Sequence, residues 1–134
     1  MIEMLKKAPF VPLFCIVGEP TLMQIATEHK GKVNVSVKLK GKEAHSAFST
    51  SGLNAIYLAS EMINEIRSIQ DEIKKQFAHD DEYEVPHTTL HVGKMEGGVA
   101  LNIVPNSASF FFEIRNLPED DPNIILTKIR KSAK

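Results

Sequence analysis

His45, in the run Gly41-Lys42-Glu43-Ala44-His45-Ser46, places an imidazole in a polar stretch. Such a ring is able to donate a hydrogen bond to developing negative charge. From the residues alone it reads as a loop histidine on a polar surface. Asn102 is polar between Leu101 and Ile103; its amide both donates and accepts, and its plain reading is a turn residue bonding nearby backbone. Arg115 ends a phenylalanine-rich run, where the plain reading is a salt bridge with Glu113 or Asp120. His79-Asp80-Asp81 spells a His-x-Asp metal triplet. It falls in a polar loop after a helix, so it reads as a solvated loop rather than a ligand set. Cys15 is the single cysteine. Lying in an apolar run, it reads as an inert buried thiol, and one thiol excludes both a disulfide framework and a multi-thiolate zinc site.

These groups must be held by elements, and the hydropathy pattern supplies them. Phe14 to Val17 is a short apolar run closed by Gly18-Glu19-Pro20, which predicts a strand buried on both faces. Val33, Val35, Val37 and Leu39 alternate with polar residues, which predicts a strand with one wet face. Ser49-Thr50-Ser51 offers caps for a long amphipathic helix over roughly 53–76, with Ile56, Ala59, Ile63, Ile66, Ile69 and Ile73 on its apolar side. Thr88 to Met95 reads as a strand, Gly97-Gly98 as a turn or bulge, Ala100 to Val104 as a short extended piece, and 108–115 as a strand that buries Phe110 and Phe112. Asp121-Pro122 starts a last helix with Ile124, Ile125 and Ile129 inward. Its order from residue 32 predicts an α+β fold, a ferredoxin-like β-α-β-β-α-(β) plait. The antiparallel sheet is covered by two helices on one face, and the last strand is missing. Both ends read as cut, and the first strand is expected to present an open edge.

The composition bounds the class. The 134 residues are enough for one domain, and 43% hydrophobic with 25% charged is globular rather than disordered. A net charge of −1 gives no electrostatic reason to expect nucleic acid or a membrane surface as partner. No run reaches the ~20 apolar residues a membrane span needs, and no signal peptide is legible. A cytoplasmic location is the expectation.

Three stretches together carry a resemblance: Val17-Gly18-Glu19-Pro20-Thr21; Gly41-Lys42-Glu43-Ala44-His45-Ser46; and Thr88-Thr89-Leu90-His91-Val92-Gly93 leading through Gly97-Gly98 to Ala100-Leu101-Asn102-Ile103-Val104-Pro105. In this order and spacing they resemble the zinc-dependent amidohydrolases that include acetylornithine deacetylase, succinyl-diaminopimelate desuccinylase and carboxypeptidase G. The wording, with Phe112-Glu113-Ile114-Arg115-Asn116-Leu117-Pro118, is most similar to the first of these.

The resemblance implies a two-part parent enzyme in which an inserted plait dimerises and acts as a lid. It assigns residues 1–20 to a remnant of the catalytic domain, 21–31 to a hinge, and 32–134 to the dimerisation and lid domain. It implies that Glu19 is a zinc ligand in the parent, idle here for want of companions. It implies that His45 reaches the partner's active site to stabilise an oxyanion, that Asn102 binds substrate, and that Arg115 grips the substrate carboxylate. Zinc is expected in the parent and no cofactor in this chain. The expected partners are a second copy, joined through the sheet edge and long helix, and, in the parent, an N-acyl amino acid. The alternative is a free-standing dimerisation or small-ligand-binding module without catalysis.

Overall fold

A computed structural model describes residues 6–14, 16, 18, 20–26 and 28–133. Cys15, Val17 and Glu19 lie outside the described residues, and with them half of the strand expected at Phe14 to Val17 and the metal-ligand assignment of Glu19; the other half, Phe14 (72% exposed) and Ile16 (85%), is neither buried nor in a strand.

The element order is β1 (Val33–Lys40), β2 (Ala44–His45), a 3₁₀ helix (Ser46–Ser51), α1 (Ala55–Gln76), β3 (Thr89–Gly97), β4 (Ile103–Val104), β5 (Ser107–Arg115) and α2 (Pro122–Ser132). β1, β5 and β3 form one antiparallel sheet in that order, with Val33 opposite Ile114 and Leu90 opposite Ile114 from the other side. β2 and β4 form a separate two-stranded piece. The molecule is thus a mixed α+β fold with an antiparallel sheet and two helices.

The period-two pattern of β1 and β5 decides which face is covered. Ala108, Phe110, Phe112 and Ile114 are buried, while Phe111 on the opposite face is 44% exposed. On the buried side α1 contributes Ala55, Ala59, Met62, Ile66, Ile69 and Ile73, and α2 contributes Ile125 and Ile129, all to one cluster. Leu126 packs against that cluster, whereas Ile124, expected inward, is 53% exposed. Residues 125, 126 and 129 make the narrower stripe that 3.6 residues per turn allows.

Two local expectations change. The cap of α1 is Asn54 rather than the Ser49–Ser51 run: its Oδ1 accepts the amides of Ile56 (2.9 Å) and Tyr57 (3.3 Å). The serines belong to the 3₁₀ helix instead. The β-bulge falls between Val92 and Lys94 rather than at Gly97-Gly98, where Gly98 turns the chain at φ +78°. The extra residue moves Met95 to the helix side and Lys94 to the open side, which a strict alternation through Met95 would have reversed.

At the far end of the sheet a buried polar network fixes the chain crossings. The Thr88 hydroxyl donates to Asp120 Oδ2, the Ala78 amide donates to Asp120 Oδ1 (3.2 Å), and the Leu117 amide donates to Thr88 Oγ1 (2.9 Å). Gly31 and Asn116 exchange backbone hydrogen bonds. Lys30 Nζ donates to the carbonyls of Val85 (2.6 Å) and His87.

Burial first, then the charges of Lys74, Lys30 and His79, hold the His87 imidazole below the ordinary histidine range. The unfolded chain therefore takes up a proton at His87 before the folded chain does. Stability contributed by the neutral ring is present at pH 7.5 and is lost as pH falls below about 6.5 toward the folded-state value. Replacing His87 with Gln is expected to flatten the fall in urea midpoint between pH 7.5 and 5.5; an unchanged slope would remove His87 as its source.

Candidate functional site

The two short strands outside the main sheet build the site. β2 pairs with β4 so that His45 lies opposite Ile103, and the Ser46 amide donates to the Asn102 carbonyl at 2.9 Å. His45 and Asn102 are thereby neighbours across one ladder, and both are exposed. The ladder closes because Gly41 fits where no side chain does: a Cβ there would stand 2.1 Å from the Leu53 carbonyl oxygen and 2.7 Å from that of Pro105. Lys42 and Leu53 exchange backbone hydrogen bonds (2.8 and 2.9 Å), and Ala55 donates to Pro105 (2.9 Å).

His45 also caps the 3₁₀ helix. Its Nδ1 accepts the Ala47 amide at 3.2 Å. A nitrogen that accepts carries the lone pair, so the neutral ring holds its proton on Nε2. The exposed ring thus presents an N–H donor outward. The segments that follow and face the ladder expose apolar side chains: Phe48 (69%) in the 3₁₀ helix, Tyr57 (68%) in α1, and Val99 (83%) and Leu101 (102%) before β4. A groove lined by Ser46, Asn54, Tyr57, Gly98 and Leu101 runs beside the ladder.

Arg115 sits elsewhere. β5 carries nine residues from Ser107, beside β4, to Arg115. At about 3.4 Å per residue its two ends lie about 27 Å apart. Arg115 Nε donates to Glu113 Oε1 at 3.0 Å, and Lys32 Nζ lies 3.3 Å from Glu113 Oε2. The Arg115 hydrogen bond first, with help from Lys32, holds the Glu113 carboxyl below the usual range. Of the two salt-bridge partners expected for Arg115, Glu113 takes the role; Asp120 is engaged by Thr88 and Ala78. Binding through Nε leaves the two terminal nitrogens of the guanidinium to face an incoming carboxylate.

So the structure brings His45 and Asn102 together and keeps Arg115 at the other end of the sheet. Glu113, two residues before Arg115 on one strand face, was legible as one of two expected partners; sequence reasoning did not find the Ala47 amide that sets the His45 tautomer.

His79 lies in a backbone bridge with His87, and its Nδ1 is 3.5 Å from Asp81 Oδ1 at exposed positions. Among the described residues no group of three or more His, Cys, Asp or Glu side chains is placed to hold a metal ion. The described side chains therefore do not assemble the donor set that a zinc centre requires. Among the described residues, too, no helix is long and apolar enough to cross a membrane.

Fold and site together define a mixed α+β domain whose polar groups gather at opposite ends of one helix-backed sheet. The chain belongs to the peptidase dimerisation domain family, whose sequence model matches residues 27–134. It is similar to acetylornithine deacetylase of Vibrio cholerae, 33% identical over 113 residues, and to that of Vibrio vulnificus, 34% identical over 110 residues. These alignments cover 84% and 82% of this chain but only 30% and 29% of the relatives, so the chain spans about a third of their length. Among solved structures it is similar to aminopeptidase PepT from Bacillus cereus (25% identity, TM-score 0.55, 77% of this chain and 24% of that one). The aminobenzoyl-glutamate utilization protein from Klebsiella pneumoniae shares the fold (19% identity, TM-score 0.60, 78% and 24%).

Proposed function

We propose that residues 32–134 are the dimerisation and lid domain of an acetylornithine deacetylase-like zinc amidohydrolase, acting in the cytoplasm in arginine biosynthesis. In this reading residues 1–20 belong to its catalytic domain, with Glu19 among the zinc ligands, and 21–31 form the hinge. The reaction would be hydrolysis of N-acetylornithine to ornithine and acetate. Zinc, when bound elsewhere in such an enzyme, activates the attacking water; no step below runs through it.

The observation that carries the proposal is the separation of the polar groups in a chain of a dimerisation family. One copy holds His45 and Asn102 on the ladder next to the Ser107 end of β5 and Arg115 at its other end, about 27 Å along the strand. A two-fold axis relates opposite ends of two identical sheets, so His45 and Asn102 of one copy complete a site with Arg115 of the other. There Arg115 grips the substrate carboxylate through its free terminal nitrogens. Asn102 hydrogen-bonds the acyl amide. The Nε2–H of His45 donates to the carbonyl oxygen as it takes up negative charge, and the exposed Leu101 and Val99 exclude water on closure.

The test is a chimera in which residues 27–133 replace the matching segment of the Vibrio cholerae enzyme. His45→Ala is expected to lower kcat about 100-fold with little change in KM. Arg115→Ala is expected to raise KM for N-acetylornithine. Co-refolding the two impaired variants should restore, at substrate well below the raised KM, about a quarter of the unmutated activity. Half of the random dimers are then mixed, and each holds one intact composite site. No recovery on mixing would refute the shared site. An active chimera indifferent to His45→Ala would favour a binding module without catalysis.

A further inference from the structure

The open face of the sheet is not flat. On β3, His91 stands opposite Glu113 and Lys94 opposite Phe111, with Gly93 as the extra residue of the bulge between them. A side chain at 93 would stand over the sheet, and glycine leaves that space empty. A Cβ built there would have the His91 ring, at 3.6 Å, as its nearest neighbour among the described residues. A cleft of about 550 Å³ therefore opens at Gly93 and reaches across β5 to Asn34 and Ser36 on β1. Small-molecule sites occupy roughly 300–1,000 Å³.

The chemistry of the lining points to an aromatic anion. The floor is the Phe111 ring, 44% exposed, with Lys94 Nζ 5.8 Å from its centroid. Among the described residues no hydrogen bond engages the side chains of Asn34, Ser36 or His91, so three polar groups on the wall are uncommitted. An apolar floor with a few convergent polar groups is the usual make-up of a ligand pocket. Charge decides the sign of the ligand. Lys38, Lys40 and Lys94 share this face with Lys32 and Arg115, against Glu96 and Glu113, a local excess of three positive charges in a chain of net charge −1. Both carboxylates are already engaged, Glu113 by Lys32 and Arg115, and Glu96 by Lys94 at 2.8 Å. The rim is also held in place from behind. From α1, Gln70 donates Nε2–H to the Thr88 carbonyl (3.2 Å) and accepts the Leu90 amide, which fixes β3 beside His91.

We propose that this cleft binds a small aromatic carboxylate. Its ring lies over Gly93 against Phe111 and the His91 imidazole, the offset or edge-on contact that aromatic pairs prefer. Its carboxylate is taken by Lys94, with Ser36 and Asn34 donating from β1. The inference rests on this face of the sheet and is independent of the hydrolase reading.

The experiment titrates 2-naphthoate into the isotope-labelled chain and follows backbone amides by NMR. Saturable shifts are expected at His91, Gly93, Lys94 and Phe111, with a Kd of about 1 mM or tighter, the range for a ligand of this size at ordinary efficiency. Uncharged 2-naphthylmethanol and non-aromatic cyclohexanecarboxylate should each bind about fivefold more weakly. Lys94→Met and Phe111→Ala should each raise the Kd for 2-naphthoate by a similar factor. Gly93→Leu fills the cleft without needing a left-handed backbone, since Gly98 is the glycine that has one, and should raise the Kd more than about tenfold. Gly93→Ala, whose Cβ makes only an ordinary contact with His91, keeps the test valid should the leucine variant fail to fold; it should weaken binding about threefold. Shifts gathered at Ser46, Tyr57 and Leu101 instead would place the ligand beside the β2–β4 ladder and overturn the proposal. Shifts that never saturate, or a Kd indifferent to Gly93 and Phe111 substitution, would overturn it as well.

Discussion

Phe110→Ala is expected to lower the unfolding free energy by about 4 kcal/mol, the range for truncating a fully buried aromatic. Phe110 is 0% exposed and sits on the central strand, opposite Val37 on one side and Met95 on the other. It packs against Phe112 at 6.3 Å between ring centroids, beneath α1. A domain of this size has about 5–15 kcal/mol to lose, so the variant should populate unfolded chain at 37 °C. The adjacent Phe111→Ala is the internal comparison. That ring lies on the open face, partly covered by Lys94 Nζ at 5.8 Å, and its loss should cost about 0.5 kcal/mol. Urea denaturation of both variants checks the pair. Similar midpoints for the two would mean that the sheet's covered face has been wrongly assigned.

Asp120→Ala is expected to cost about 3 kcal/mol. Asp120 is 6% and Thr88 0% exposed. Removing the carboxylate strands two donors, the Thr88 hydroxyl and the Ala78 amide, in a region closed to water. An orphaned buried donor costs about 1–3 kcal/mol. Asp120→Asn keeps an oxygen for the Ala78 amide and should cost about half as much. The effect should also be local in its dynamics. Because Thr88 in turn accepts the Leu117 amide, and Asn116 is tied to Gly31, hydrogen exchange should accelerate at Ala78, Leu117 and Gly31 before it does in β1. A uniform acceleration along the sheet would show that the network carries no special share of the far end's order.

The alternation of Val33 to Leu39 and of Ala108 to Ile114 determined two strands and the face each buries. Residue type at period two needs only the pleat to become geometry, and both strands lie where the pattern put them. The isoleucine stripe from Ile56 to Ile73 determined α1 in the same way. Asp121-Pro122 determined the start of α2, because a cap and a pre-set φ act within a few residues. His45, Asn102 and Arg115 were visible as residues, since their types depart from their surroundings.

What only the tertiary structure decided was set by distant partners. Gln70 interrupts the apolar stripe between Ile66 and Ile73, a legible oddity, but its role depends on β3 lying within reach of its amide. The bulge at Gly93 follows from registering β3 against β5, which neither strand specifies by itself. The cap of α1 passed to Asn54 because the serines before it were drawn into a 3₁₀ turn beside the β2–β4 ladder. Above all, the order β1-β5-β3 is what sets His45 and Asn102 at one end of the sheet and Arg115 at the other. Local propensity acts over a turn or a strand, whereas separation across a sheet arises only when loops close and strands choose their neighbours.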